Sequence, residues 1–351
     1  MSRKVAVLRG DGIGPEIVNA AVEVVKKVDE KYQLGIEFTD ALFGGAAIDA
    51  YGNPFPEETK AIVKAADAVL LGSVGGPKYD ALPRENRPET GLLAIRKELG
   101  LYCNICPAKY YDFLAERLVF KKEVVEDVDI VICRELTSGI YFGEKKREGD
   151  SAYDVMSYNR DEITRIVRDA FELAKQRSKK HLTSVDKANV LETSRLWREV
   201  VNEMAKEYPE VTVDHMYVDN AAVQLVLNPK QFDVIVTENS FGDILSDESA
   251  ALAGSLGMVP SASLGGSIGL YEPAHGSAPD IAGQGIANPI ATILSAAYMM
   301  RLSLDAPQAA DDIERAVQSA IDDEIWTVDI ANDPSKAVGT KEMTKAIIER
   351  I

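Results

Sequence analysis

Cysteine and histidine are scarce in this chain, with three of each in 351 residues. Three cysteines make no disulfide framework at this length. The C-x-x-C pair Cys103/Cys106 is half of a zinc site whose second pair is missing, because Cys133 stands alone. Pro107 follows the pair directly, which does not suit the helix start of a thioredoxin-type motif. In an extended segment the two Cα atoms lie ~10 Å apart, beyond disulfide reach. Long apolar runs are also lacking. None approaches the ~18 residues of a membrane helix, so no membrane partner is expected. Met1-Ser2-Arg3-Lys4 enters a strand-like run without the apolar stretch of a signal peptide, and a reducing cytoplasm is the expected location. Basic residues are in deficit, 39 Lys and Arg against 56 Asp and Glu, for a net charge of -17. A nucleic-acid backbone needs the opposite balance, so no nucleic-acid partner is expected. Any anionic ligand must find a local cluster of Arg or Lys against the field of the whole chain.

What is present reads as an ordinary globular protein, 46% hydrophobic and 27% charged, long enough for two domains. Short apolar runs at Lys4–Leu8, Ala68–Leu71, Val128–Arg134, Lys180–Asp186, Val211–Val218 and Phe232–Val236 predict strands. Helical spacing predicts helices from Pro15 to about Val28, from Glu89 onward, from Ile163 to Lys175 and from Thr193 to about Tyr208. The final third reads as mostly helical. Strands alternating with helices define an α/β fold.

The most informative stretch is Thr237–Asp247. Asp243 and Asp247 stand four apart and share one face of a helix, one turn from each other. A further carboxylate, Asp219, closes the upstream cue Tyr217-Val218-Asp219-Asn220. Converging carboxylates repel unless a cation sits among them, and an oxygen-only set suits Mg²⁺ or Mn²⁺. The dull alternative is a solvated acidic face. Gly10-Asp11-Gly12-Ile13-Gly14-Pro15-Glu16 follows a strand and opens a helix, yet Ile17 stands where a dinucleotide fingerprint needs Gly or Ala. A tight turn without a phosphate role is the plainer reading. Gly72-Ser73-Val74-Gly75-Gly76-Pro77 lets backbone approach a ligand. The glycine-rich run from His275 to Pro289 carries Asp280, a residue type that bonds a ribose diol and repels a 2′-phosphate, favouring NAD over NADP. Arg96 and Arg134 are carboxylate-clamp candidates. Lys187 is a candidate general base and Tyr141 a candidate proton donor.

Taken in order, the motifs at Gly10–Glu16, Arg87–Leu93, Arg134–Gly143, Val185–Val190, Asp243/Asp247 and Asp280 resemble the β-decarboxylating 3-hydroxyacid dehydrogenases, the isocitrate/isopropylmalate dehydrogenase family, nearly end to end. The resemblance implies a doubly wound, mixed-sheet α/β subunit that is not Rossmann. One domain, 1–101 plus 254–351, would carry both termini and the NAD-binding loops. An inserted domain, 102–253, would carry the dimer contacts and the metal-binding aspartates. It implies a homodimer with shared sites, in which Asp243 and Asp247 hold the metal with Asp219, and Asp219 and Lys187 come from the second copy. Tyr141 and Lys187 would be catalytic, and Arg96, Arg134, Asp219, Glu89, Leu92, Leu93 and Val190 would meet the substrate. NAD would lie against Ile13, Gly75, Gly76, Glu89, Asn189, Glu272, His275, Gly276, Ser277, Ala278, Asp280 and Asn288. The implied substrate is 3-isopropylmalate, its branch against the two leucines, where isocitrate-using relatives carry Ser or Thr.

One position departs. The family pattern Asn-x-Arg-Pro is Asn104-Ile105-Cys106-Pro107 here, so Cys106 stands where a third substrate-binding Arg is expected. A shifted substrate such as D-malate, tartrate or homoisocitrate, an engineered substitution, a stand-in such as Lys109, and a redox pair of Cys106 with Cys133 are the competing accounts. A non-catalytic regulatory relative is the rival from another class.

Overall fold

A computed structural model describes residues 2–351. In chain order, β1 (Arg3–Leu8), α1 (Gly14–Tyr32), β2 (Ile36–Ala41), α2 (Gly45–Tyr51), α3 (Glu57–Lys64), β3 (Ala68–Leu71) and α4 (Pro88–Glu98) come first. Then follow β4 (Cys103–Lys109), α5 (Lys122–Val125), β5 (Asp129–Glu135), β6 (Lys145–Glu148), β7 (Ser151–Asp154) and α6 (Arg160–Gln176). β8 (His181–Asp186), α7 (Glu192–Met204), β9 (Thr212–Tyr217), α8 (Val218–Leu227), β10 (Val234–Thr237) and α9 (Asn239–Ala250) come next. β11 (Pro260–Leu264), β12 (Gly269–Pro273), α10 (Ile290–Leu302), α11 (Pro307–Asp322) and α12 (Thr340–Ile348) complete it. The chain divides into two compact units, Met1–Leu101 with Ser255–Ile351, and Tyr102–Gly254.

The first unit orders its strands β2-β1-β3-β12-β11. The first four run parallel and β11 is antiparallel to β12. Val5–Leu8 and Ala68–Leu71 are buried without interruption, as parallel strands covered on both faces must be. Pro15 starts α1 at a position where its missing N–H costs nothing. α10 is buried around most of its circumference and forms the centre of this unit.

The second unit repeats the plan with β4-β5-β10-β8-β9, four parallel strands and an antiparallel β4. α6 opens with a reciprocal capping box between Asn159 and Glu162. The hairpin β6–β7 stands apart as a two-stranded ribbon with exposed residues.

The fold is the expected doubly wound α/β class, with one difference in detail: the final third includes β11 and β12 as well as helices. α9 stops at Ala250 and two short 3₁₀ turns follow. Residues 147–151 include the β6–β7 turn.

Candidate active site

The candidate site residues fall into groups in both units. In the second unit Arg134 is the next-to-last residue of the buried strand β5, and α9 lies against its side chain. A Cβ at Gly242 would come within 2.6 Å of Arg134 Cγ, so only glycine lets the helix approach. Arg134 donates from Nε and Nη2 to Asn239 Oδ1 at 3.1 and 2.9 Å, and from Nη1 to Asp243. Tyr141 donates its hydroxyl to the other Asp243 oxygen at 2.8 Å. Burial, and then the bond to the Asp243 carboxylate, push the Tyr141 pKa up to about 12, so the phenol keeps its proton through the physiological range. Asp247 follows one turn along α9. Burial and then the Asp243 charge raise its pKa. The all-oxygen donor set of Asp243 and Asp247 fits Mg²⁺ or Mn²⁺.

Lys187 and Asp219 form a second group in this unit. Lys187 Nζ pairs with Asp219 Oδ1, and the bond holds the Asp219 carboxyl below its usual range. The Lys187 backbone N–H is fixed by Ser194 Oγ at 3.0 Å. Asn189 and Val190, on the loop beyond it, are exposed. Among the described residues no three His, Cys, Asp or Glu side chains gather as a metal site, so one chain does not bring Asp219 to Asp243 and Asp247.

Cys106 shares the face of β4 that carries Asn104. The register sets Asn104 opposite Arg134 and Cys106 opposite Ile132. Its thiol donates to Asn104 Oδ1 at 2.8 Å, and it packs in an apolar cluster with Leu245 and Leu252. This corrects two expectations. Cys133 pairs with Ile105 and lies in a different cluster with Cys103, which hydrogen-bonds it, so Cys133's thiol neighbour is Cys103 and not Cys106. Lys109 is an odd number of residues from Cys106 and therefore on the other face of the strand, exposed, where it cannot replace the expected arginine.

In the first unit, Arg96 on α4 pairs with Glu272 on β12 at 3.0 Å, with side chains 11% and 10% exposed. Arg96 Nε is buried without a partner. Leu92 packs on the core behind α4 and Leu93 is half-buried. Glu89 reaches the Gly75 backbone, whose absent Cβ would stand 2.7 Å from Glu89 Oε1. Nothing lies within 4 Å of where a Cβ would be at Gly76 and Gly276, which leaves open backbone of the kind a cofactor needs. Ile13 donates its N–H to the Ser277 carbonyl at 2.8 Å. His275 Nδ1 bonds the Gly276 carbonyl at 3.0 Å and so carries the proton, leaving Nε2 a buried acceptor with no partner. Burial holds its pKa low, and the ring is neutral. Ala278 adopts φ 38° and Asp280 is exposed. Asn288 differs from the others. Its amide already bonds Asp329 at 2.9 Å and its oxygen takes the Ile290 N–H at 3.0 Å, so only its backbone is left for a ligand. Open glycine backbone and an orphaned imidazole acceptor fit a dinucleotide.

Sequence reading passed over Asn239, which shares Arg134 with Asp243, and Asp11, whose carboxylate gathers backbone donors described below. The first lay inside the most informative motif, and the second between two glycines after a strand, which is the available signal.

Residues 4–347 match the isocitrate/isopropylmalate dehydrogenase family, and the chain belongs to it. The 3-isopropylmalate dehydrogenase of Moorella thermoacetica is 58% identical over 349 residues, 98% of each chain. That of Aquifex aeolicus is 55% identical over 353 residues, 99% of this chain and 97% of the other. Among solved structures, isocitrate dehydrogenase from Methylococcus capsulatus aligns with a TM-score of 0.88 at 37% identity, covering 99% of both chains. The apo form of a β-decarboxylating dehydrogenase from Thermococcus kodakarensis aligns with a TM-score of 0.81 at 37% identity, covering 99% of this chain and 96% of that one.

Proposed function

We propose that this chain catalyses the NAD-dependent oxidative decarboxylation of 3-isopropylmalate to 4-methyl-2-oxopentanoate, a reaction of leucine biosynthesis. The observation that carries the reading is the intact Arg134–Asp243–Tyr141 cluster in a chain 58% identical, over nearly its whole length, to an enzyme named for that substrate. The relatives do not favour D-malate, tartrate or homoisocitrate as substrate, nor a non-catalytic role.

The glycine backbone of the first unit and His275 would hold NAD, which would supply a hydride acceptor, and Asp243, Asp247 and a second copy's Asp219 would hold Mg²⁺ or Mn²⁺, which would supply Lewis-acid polarisation of the substrate oxygens. The chain's own residues do the rest. Arg96 and Arg134 hold carboxylates, each with donors suited to a bidentate grip. Lys187 takes the hydroxyl proton. Its Nζ is held by Asp219, so reaching the substrate hydroxyl requires that pair to open. After carbon dioxide leaves, Tyr141 delivers a proton to the carbon that lost it, which its raised pKa permits because the phenol remains protonated. Leu92 and Leu93, with Val190 of a second copy, meet the isopropyl branch.

The second copy is argued from α8. Asp219, Val223 and Leu227 form one stripe at i, i+4 and i+8, and Val223 and Leu227 are 50% and 65% exposed. Ile244, beside Asp243 on α9, is 64% exposed. Covering these apolar residues with another copy would carry Asp219 to that copy, and a monomer by light scattering at micromolar concentration would refute the arrangement. No helix among the described residues is long and apolar enough to cross a membrane, and a cytoplasmic location is part of the proposal.

The test is NADH formation with Mn²⁺ on 3-isopropylmalate, D-malate, tartrate and homoisocitrate. 3-Isopropylmalate is expected to have the highest kcat/KM. Preference for another acid would overturn the substrate assignment.

A further inference from the structure

Asp11 lies outside every role assigned above, yet its carboxylate accepts three backbone N–H groups from two other loops of the first unit. Oδ2 takes the N–H groups of Gly45 and Gly75, both at 2.8 Å, and Oδ1 takes that of Ala46 at 2.9 Å. Gly45 and Ala46 are the first residues of α2, whose own cap residue, Gly44, has no side chain to offer. Asp11 therefore caps that helix from 34 residues away and in the same grip holds Gly75.

The backbone around it completes the knot. Asp11 N–H donates to the Ser73 carbonyl at 2.7 Å, and Ile13 N–H to the Ser277 carbonyl at 2.8 Å. Gly12 sits at φ 58°, and a Cβ there would run into the Ser277 carbonyl. One four-residue turn thus fastens three loops, those of Gly72–Gly76, Gly44–Ala46 and Ser277. Gly75 in turn abuts Glu89. Burial raises the Asp11 pKa although the three N–H groups oppose it. The carboxylate is held where water would not leave it uncompensated, by donors that each require an acceptor.

We propose that Asp11 is the positioning residue of the dinucleotide cradle, setting Gly75–Gly76 against Ile13 and Ser277 before any ligand arrives. The proposal rests on the assignment of NAD to this unit. Asp11 touches no reacting atom, so its loss should act on cofactor binding and little on the chemical step.

Asp11→Asn keeps the shape and turns one acceptor into a donor facing donors. The expected result is a KM for NAD raised about tenfold to a hundredfold, the equivalent of one lost charge-assisted hydrogen bond. KM for the malate substrate and kcat at saturating NAD should change far less. In NAD-free protein, amide exchange at Gly45, Ala46 and Gly75 should accelerate in the variant while α10 stays protected. Asp11→Glu, which keeps the charge, should restore part of both. An unchanged KM for NAD in folded Asp11→Asn overturns the proposal. If that variant does not fold, the wild type decides. Amides of Gly45, Ala46 and Gly75 that exchange as fast as Gly76 without NAD would overturn the clamp. Wild type that protects them yet binds no NAD, by fluorescence titration, would instead overturn the cofactor assignment.

Discussion

The two units share a sheet plan, four parallel strands and one antiparallel, but use different parts of the chain for their chemistry. In the first unit the proposed cofactor cradle is mostly backbone, beside Arg96, Leu92 and Leu93, which the proposed function turns to the substrate. Glycine amides, carbonyls and an orphaned imidazole nitrogen are its offering, and its charged groups are mostly committed to one another, as in Arg96–Glu272 and Asp11 with its three N–H groups. The proposed site of the second unit is built from side chains, with Arg134 and Lys187 at strand ends, Asp219 at the start of α8, Asp243 and Asp247 one turn apart on α9, and Tyr141 on a short turn after β5. In the proposed function, backbone meets the cofactor. Side chains meet the part of the reaction in which charge moves. In such a division, damage to the second unit should fall on kcat, and damage to the first on stability and cofactor affinity.

The sharpest way to break the comparison is to remove the proton carriers. Lys187→Ala and Tyr141→Phe are each expected to lower kcat by about 10²–10⁴-fold with NAD affinity retained, read by steady-state NADH formation and by NAD titration. Next is Glu272→Ala, which leaves Arg96 buried and unpaired. A loss of about 3–5 kcal/mol is expected in denaturant unfolding of the ligand-free protein, and a loss under ~1 kcal/mol would show that Arg96 relaxes into solvent. Cys106→Arg should lower the KM for 3-isopropylmalate roughly tenfold to a hundredfold, the worth of a restored charged hydrogen bond. A change of preferred substrate would make Cys106 a specificity determinant instead. Smallest is Asp247→Asn. Its carboxyl has a raised folded pKa, so the folded state favours the protonated form, and stability is lost as pH rises through that pKa. The amide should therefore melt slightly higher than wild type at pH 7 in EDTA. The gain should vanish when the pH falls to the ordinary Asp range and below, and divalent cation should stabilise wild type more than the variant.

The parallel strands were legible because both faces are covered and the runs Val5–Leu8, Ala68–Leu71 and Ile130–Cys133 are apolar throughout. The Asp243/Asp247 pair was legible because helical spacing alone puts the two on one face. The hairpin β6–β7 was not, since neither of its faces is buried and no alternation marks it. β11 and β12, short and rich in Ser, Gly and Pro, were passed over in a final third read as mostly helical. Cysteine pairing failed on register. Spacing shows that Cys103 and Cys106 face opposite ways, but only the alignment of β4 with β5 shows which of them meets Cys133. Asp11 was hidden by distance, for its donors lie 34, 35 and 64 residues along the chain.

The stripe on α8 that carries Asp219 beside Val223 and Leu227 has a genetic consequence. If each centre takes Tyr141 from one copy and Lys187 with Asp219 from the other, two crippled chains can rescue one another. A chain with Lys187→Ala and a chain with Tyr141→Phe, each inactive alone, would assemble mixed pairs in which one centre is whole and the other doubly broken. Activity would return on unfolding and refolding the two together, and not on mixing two chains that share the same defect.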